Sequence, residues 1–234
     1  RHPGTQNFSW NPLVTDEERA AFEDRVWRTD RSAFRILDRD DEAPGRTRPA
    51  QTRAQYLPIL YVEPLDDNLP VLGLDPLAID RPAAAIAQTR ARAVPVATEG
   101  FVLTQERAEQ RGVVIYQAVF GRTALDADAQ AFRGIVSSAF RMDDALGAAL
   151  AELPNRRMQL CLIDTAAAPG NRRLSGPDGC EQDAWSERTL ARRIAMPFAE
   201  RPWEVRLVAT PAYAEQLSTL TAWAAIVTGV IAAG

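Results

Sequence analysis

The chain has 234 residues, 46% of them hydrophobic and 25% charged, which suits one large globular domain or two small ones. Its net charge of −4 lacks the basic stripe on which nucleic-acid binding depends. Every Lys/Arg position is Arg, which excludes lysine Schiff-base chemistry and a phosphate-loop lysine; a single histidine, His2, excludes histidine-rich metal sites and leaves a Ser-His-Asp triad only a residue beside the amino terminus.

Leu13 to Arg28 reads as a helix, opened by the capping box Thr15-Asp16-Glu17-Glu18, with Phe22 and Val26 on one face. Ser32 to Leu37 alternates as a short strand, and Asp38 to Thr52 reads as a polar loop. Tyr56 to Val62 reads as a buried strand that Pro58 places at a sheet edge. Glu63-Pro64 ends it and Asp66-Asp67-Asn68 turns the chain. Pro82 to Ala93 is an Ala-rich helix; Val94 to Val96 and Gly100 to Thr104 are strand pieces; Gln105 to Gly112 is a charged turn; Val113 to Phe120 is a strongly apolar strand.

A second set follows: a strand over Gly134 to Phe140, a helix over Asp143 to Leu153, a strand over Met158 to Ile163, a polar loop over Asp164 to Ser186 and a strand over Trp203 to Ala209. Two successive sets of strands and helices predict an α+β chain of two small lobes. Asp126 and Asp128 are spaced for a calcium loop, but the Gly and Glu that such a loop needs are missing, and a solvated turn fits better. Cys161 and Cys180 are too far apart for a CxxC motif. They fit one disulfide in an oxidising compartment; the alternative is one buried thiol and one loop thiol. Gln216 to Gly234 carries no charge and contains Trp223, which predicts the start of a transmembrane helix, with a buried terminal helix as the alternative. No apolar run near Arg1 forms a signal peptide; if the carboxyl end enters a membrane, an anchor is expected before Arg1.

These residues, in this order, resemble the CHASE domain. The resemblance rests on Trp10-Asn11-Pro12-Leu13-Val14 with Glu17-Glu18-Arg19 and Phe22-Glu23, then Tyr56-x-Pro58-x-x-Tyr61-x-Glu63-Pro64 and Gly73-x-Asp75. It continues at Gly112-Val113-Val114-Ile115-Tyr116 and at Gly134-x-Val136 with Phe140-Arg141 and Asp143, and covers the chain from about Trp10 to Ala209. The family implies an extracellular sensor of two PAS-like lobes behind a long stalk helix, set between two transmembrane helices. Its membrane-distal lobe binds a small ligand and controls a cytoplasmic output. Too few residues precede Trp10 here to make that stalk. The resemblance divides the chain into an N-terminal helical segment (1–30), a distal ligand-binding lobe (31–125), a proximal lobe (126–215) and the start of a transmembrane helix (216–234).

In the plant cytokinin receptors of this family a carboxylate pairs with the ligand's amine and ring nitrogen, and Asp75 is the similar position. Such a bond is worth roughly 1.5–3 kcal/mol in a semi-buried pocket. Asp75 ahead of Pro76 also suits an Asx turn. Val96, Ala97 and Thr98 are expected to offer backbone groups, Leu103 a wall and Thr104 a hydroxyl. Tyr61, Phe101 and Tyr116 are expected to supply an aromatic face. Each also suits ordinary sheet packing, and Gly73, Gly100 and Gly112 suit turns.

The implied protein is the periplasmic part of a bacterial inner-membrane receptor, dimeric when intact, without a cofactor. An adenine derivative of the cytokinin class is the leading ligand, with an organic acid or a peptide as alternatives. A histidine kinase is the expected output and a diguanylate cyclase the alternative. A hydrolase using a carboxylate pair and an interaction module without a membrane anchor are the competing classes.

Overall fold

The first helix forms where its capping box predicts. Thr15 Oγ1 accepts from the Glu18 N–H, and the Glu18 carboxylate accepts from the Thr15 N–H, closing both orphan amides. The computed structural model describes residues 4–29, 34–40, 46–103, 111–122, 130–151, 157–186 and 190–216. Within them the chain forms two compact units, Arg1–Ala145 with Phe198–Arg201, and Leu146–Pro197 with Pro202–Gly234.

The first unit opens with strand β1 (Thr5–Pro12), then β2 (Val14–Thr15) and helix α1 (Asp16–Trp27). Four short strands follow: β3 (Leu37–Arg39), β4 (Thr47–Pro49), β5 (Gln55–Tyr56) and β6 (Tyr61–Glu63). Two 3-10 turns, Asp66–Val71 and Pro76–Ala78, lead to helix α2 (Asp80–Arg92). Then come β7 (Val96–Ala97), β8 (Phe101–Val102), β9 (Arg111–Arg122), β10 (Gln130–Arg141) and helix α3 (Met142–Ala151).

The main sheet runs β6-β1-β10-β9-β7, with β8 also on β9, and every pairing is antiparallel. The expected N-terminal helical segment is therefore corrected: its first part is a strand inside the sheet. The signal was hidden because β1 inverts the usual alternation. Asn7, Ser9 and Asn11 are buried, while Phe8 is 59% exposed. The expected boundary at 125 falls between β9 and β10, which pair along a long ladder.

The strand expected over Ser32 to Leu37 meets β3 (Leu37–Arg39) only at Leu37: Phe34 to Ile36 form no regular element, residues 32 and 33 lie outside the described residues, and β3 pairs with β4 inside the expected loop. Tyr56 to Val62 is broken around Pro58 into β5, which pairs with β2, and β6, which forms the sheet edge. One core gathers α1 with Val14, Phe34, Ile36, Ala50 and Tyr56. The larger core lies where α2 covers the main sheet, among Leu57, Ile86, Val96, Phe101, Tyr116 and Ile135.

The second unit holds β11 (Met158–Asp164), β12 (Arg173–Ser175), the short α4 (Asp183–Ser186), β13 (Ala191–Phe198) and β14 (Arg201–Ala209). Its sheet order is β12-β11-β14-β13, with β11 antiparallel to both neighbours. The sequence reading misses β13 because it is an edge strand, exposed along most of its length. Cys161 of β11 and Cys180 are joined in a disulfide between two fully buried positions, and Trp185 and Val208 pack around it. Among the described residues no helix is long and apolar enough to cross a membrane. The expected membrane segment lies, except for Gln216, outside the described residues, as do Asp126, Asp128 and most of the turn over Gln105 to Gly112.

Two stability effects follow. Gly73 has φ +83°, and a Cβ there would stand 2.1 Å from the Arg35 carbonyl oxygen. Gly73→Ala is expected to cost at least about 2 kcal/mol in urea unfolding. The disulfide closes a separation of 19 residues. Reduction, or replacement of both cysteines by Ser, is expected to remove about 3 kcal/mol, read as a lower melting temperature.

Candidate functional site

The sheet's inner face, α2 and the two 3-10 turns enclose a cavity of about 50 Å³. Apolar side chains form most of its wall, from Ile59, Val71 and Leu74 to Phe101, Leu103 and Val114. Three polar side chains join them: Asn7 from β1, Tyr116 from β9 and Ser137 from β10. Leu103 can seat itself because Gly112 lies beneath it. A Cβ on Gly112 would meet the Leu103 side chain at 2.3 Å, so this glycine serves a close approach within β9 and not a turn.

Of the expected site residues, Phe101, Leu103 and Tyr116 line this cavity together. Val96 is buried in the same core. Ala97 and Thr98 border a separate groove that includes Arg81 and Glu99. Thr98 is committed to the sheet, since its Oγ1 accepts from the Val114 N–H at 3.1 Å. Tyr61 is 56% exposed and stands on the opposite face, over an open groove shared with Phe8, Trp10 and Val136. Thr104 lies outside the described residues.

Asp75, the expected ligand carboxylate, is not among the residues that line the cavity. It is fully buried. One carboxylate oxygen accepts from the N–H groups of Leu57 at 3.1 Å and Leu77 at 3.0 Å, and the other from Arg53 Nη1 at 2.9 Å. Asp75 thus caps the second 3-10 turn, the Asx role that its place before Pro76 also suggested. Arg53 extends its other nitrogen to both carboxylate oxygens of Asp38. Burial raises the Asp75 carboxyl above its ordinary range, against the lowering effect of the Leu77 and Leu57 amides and Arg53.

Tyr116 is 4% exposed, and no described residue hydrogen-bonds to its hydroxyl. Burial first, and the Asp75 charge second, push its ionisation far above that of a free tyrosine, so it stays a neutral donor. Asn7 donates to Asn68 Oδ1 at 2.9 Å, and the Ser137 hydroxyl pairs with that of Ser9 at 2.7 Å. Asn7 and Ser137 were missed from the sequence. The signal available was the row of small polar residues at every second position of β1, between the aromatic Phe8 and Trp10.

An antiparallel sheet covered on one face by a helix, with a small and largely apolar cavity beneath, is an arrangement that can hold a small ligand. The CHASE domain family matches residues 1–174, and the chain belongs to that family of extracellular sensors. Among solved structures, it is similar to the ligand-binding domain of the Pseudomonas aeruginosa PAO1 amino acid chemoreceptor PctC in complex with GABA. That likeness has 12% identity and a TM-score of 0.34, over 52% of this chain and 58% of that one. It is also similar to an extracellular ligand binding receptor from Desulfohalobium retbaense DSM5692, with 12% identity and a TM-score of 0.42, over 64% of this chain and 28% of that one. The chain therefore spans less than two thirds of either. No curated protein matches it in sequence.

The ion cluster yields a signed pH effect. Asp75 has a raised carboxyl in the folded state, so the stability it contributes is fully present below the ordinary value of 3.8 and falls as pH rises through the folded value. Arg53→Met leaves Asp38 and Asp75 buried without their shared cation. It is expected to cost about 3 kcal/mol at neutral pH and less in acid, where the carboxyls protonate; urea unfolding across pH measures both.

Proposed function

We propose that the chain is the ligand-binding part of a transmembrane receptor and that its ligand enters the cavity beneath the main sheet. The observation that carries this reading is the buried Tyr116 hydroxyl, which lines a mostly apolar cavity without a partner among the described residues. A ligand that accepts from this hydroxyl in a largely apolar setting gains a hydrogen bond there.

In this reading the two units are the PAS-like lobes of the family, the first being distal to the membrane. The intact receptor is a homodimer anchored in a bacterial inner membrane, and its output is a cytoplasmic histidine kinase. The ligand acts by binding one receptor arrangement more tightly than the other. A diguanylate cyclase output would use the same sensor.

A cytokinin-type adenine derivative remains the leading ligand by family resemblance. The cavity, at about 50 Å³, is well below the roughly 300–1,000 Å³ typical of sites for such molecules. Such a ligand must therefore move the segment from Asp66 to Ala78 outward, and that opening reduces the net affinity. Calorimetric titration with isopentenyladenine is expected to show saturable binding that Phe101→Trp, by filling the cavity, abolishes. Absence of heat with the wild-type chain removes the cytokinin class.

A further inference from the structure

The turn Phe198–Arg201 belongs to the first unit, although the strands it joins, β13 and β14, continue in the second. Three contacts hold it in the first unit. The Ala199 carbonyl accepts from the Ala97 N–H of β7 at 2.9 Å. Glu200 accepts from Arg92, the last residue of α2, at 2.5 Å, and Arg201 lies 3.6 Å from Glu99. We infer that this turn is a latch, which pins β7 and α2 at the cavity and links any opening of the cavity to the β13–β14 pair. The inference rests on the cavity being the ligand site only for what releases the latch in a receptor.

The backbone of the turn gives the first reason. Ala199 has φ 44° and Glu200 φ 64°, both in the left-handed region that L side chains disfavour. A two-residue hairpin turn with two positive φ angles is made most readily by Asn-Gly. Strain kept at such a place points to a role beyond chain reversal. Here the role is contact: Asn-Gly lacks the carboxylate that Glu200 gives to Arg92.

The second reason is what the turn touches. Val96 of β7 is paired in register with Tyr116 of β9, and Tyr116 lines the cavity. Helix α2 brings Pro82 to the same wall, with Ile79 at its N-cap. Strand β7 is two residues long and ends the main sheet, so its own ladder supplies few bonds. The Arg92–Glu200 pair is half-exposed and weak by itself. Together with the Ala97–Ala199 bond it ties both elements to one turn. Displacing β7 or α2 breaks the contacts that hold the turn, and by linkage releasing the turn loosens β7 and α2.

Backbone amide hydrogen exchange in the full chain, without ligand, tests the latch in both directions. From the turn inward, Glu200→Gln is expected to speed exchange at Val96 and Tyr116 about twofold. Ala97→Pro, which removes the donor to Ala199, is expected to speed Tyr116 and Ala118 about fivefold. From the cavity outward, Leu103→Ala is expected to speed exchange at Trp203 and Val205 of β14 at least about threefold, with Leu174 of β12 unchanged. Changes confined to Glu200 and Arg201 in the turn variants, or an unchanged β14 in Leu103→Ala, overturn the latch. If Ala97→Pro fails to fold, Glu200→Gln and Leu103→Ala decide the matter in the same way. Because the measurement needs no ligand, loss of the latch and loss of the cytokinin reading are told apart.

Discussion

A carboxylate held away from water must be paired or protonated, and the first unit is organised around one that is paired. Asp75 binds two backbone amides and one guanidinium, and its own N–H donates to the Leu37 carbonyl. These bonds tie together β3, the stretch from Arg53 to Leu57 and the 3-10 turn after Asp75. Leu74 and Pro76, on either side, become wall residues of the cavity. Breaking such a set strands a buried charge, so the segment holding the cavity floor has few alternative positions. Held there, Leu74 and Pro76 share the wall of a small cavity with Tyr116.

The inverted strand β1 supplies the second half of the arrangement. Polar residues facing a core require partners, and most here have them. Asn11 donates to the Leu57 carbonyl and accepts from Ser9, Ser9 pairs with Ser137, and Asn68 ties Gln6 and Asn7 to Pro64. The satisfied network holds the register between β1, β10 and the turn at Asn68. At its edge, where Asn7, Ser137 and Tyr116 converge, hydrogen-bonding capacity is left over.

How much of this was legible in the sequence follows from where apolar periodicity carries the signal. Helices α1 and α2 and strands β9, β10, β11 and β14 bury apolar residues at the expected spacing and are found near their predicted places. Strand β1 buries polar residues, and β13 buries almost nothing, so neither shows the alternation that identifies a strand. That Phe101, Leu103 and Tyr116 face one enclosed wall is legible because a strand-borne apolar face is readable from sequence. Asp75 is ambiguous in sequence because a buried N-cap and a ligand-binding carboxylate need the same residue type. What separates them is the partner, Arg53, twenty-two positions away in the chain. Sequence spacing does not reveal that pairing.

The family motif itself divides along the same line. Gly73 is fixed by its positive φ and by the Arg35 carbonyl, Asp75 by its cap, Gly112 by the packing of Leu103, and Tyr56 by its hydroxyl, which bonds the Arg53 amide and Asp16. These positions build the cavity's frame. Asn7 and Ser137, which give the cavity its polarity, lie outside the motif. A frame can be shared while side chains that touch only the enclosed space are exchanged, since changing them disturbs no cap, turn or close approach. The motif positions therefore build the frame of the cavity, whereas residues between the motifs supply polar parts of its lining. In this chain they form a neutral lining with one strong donor.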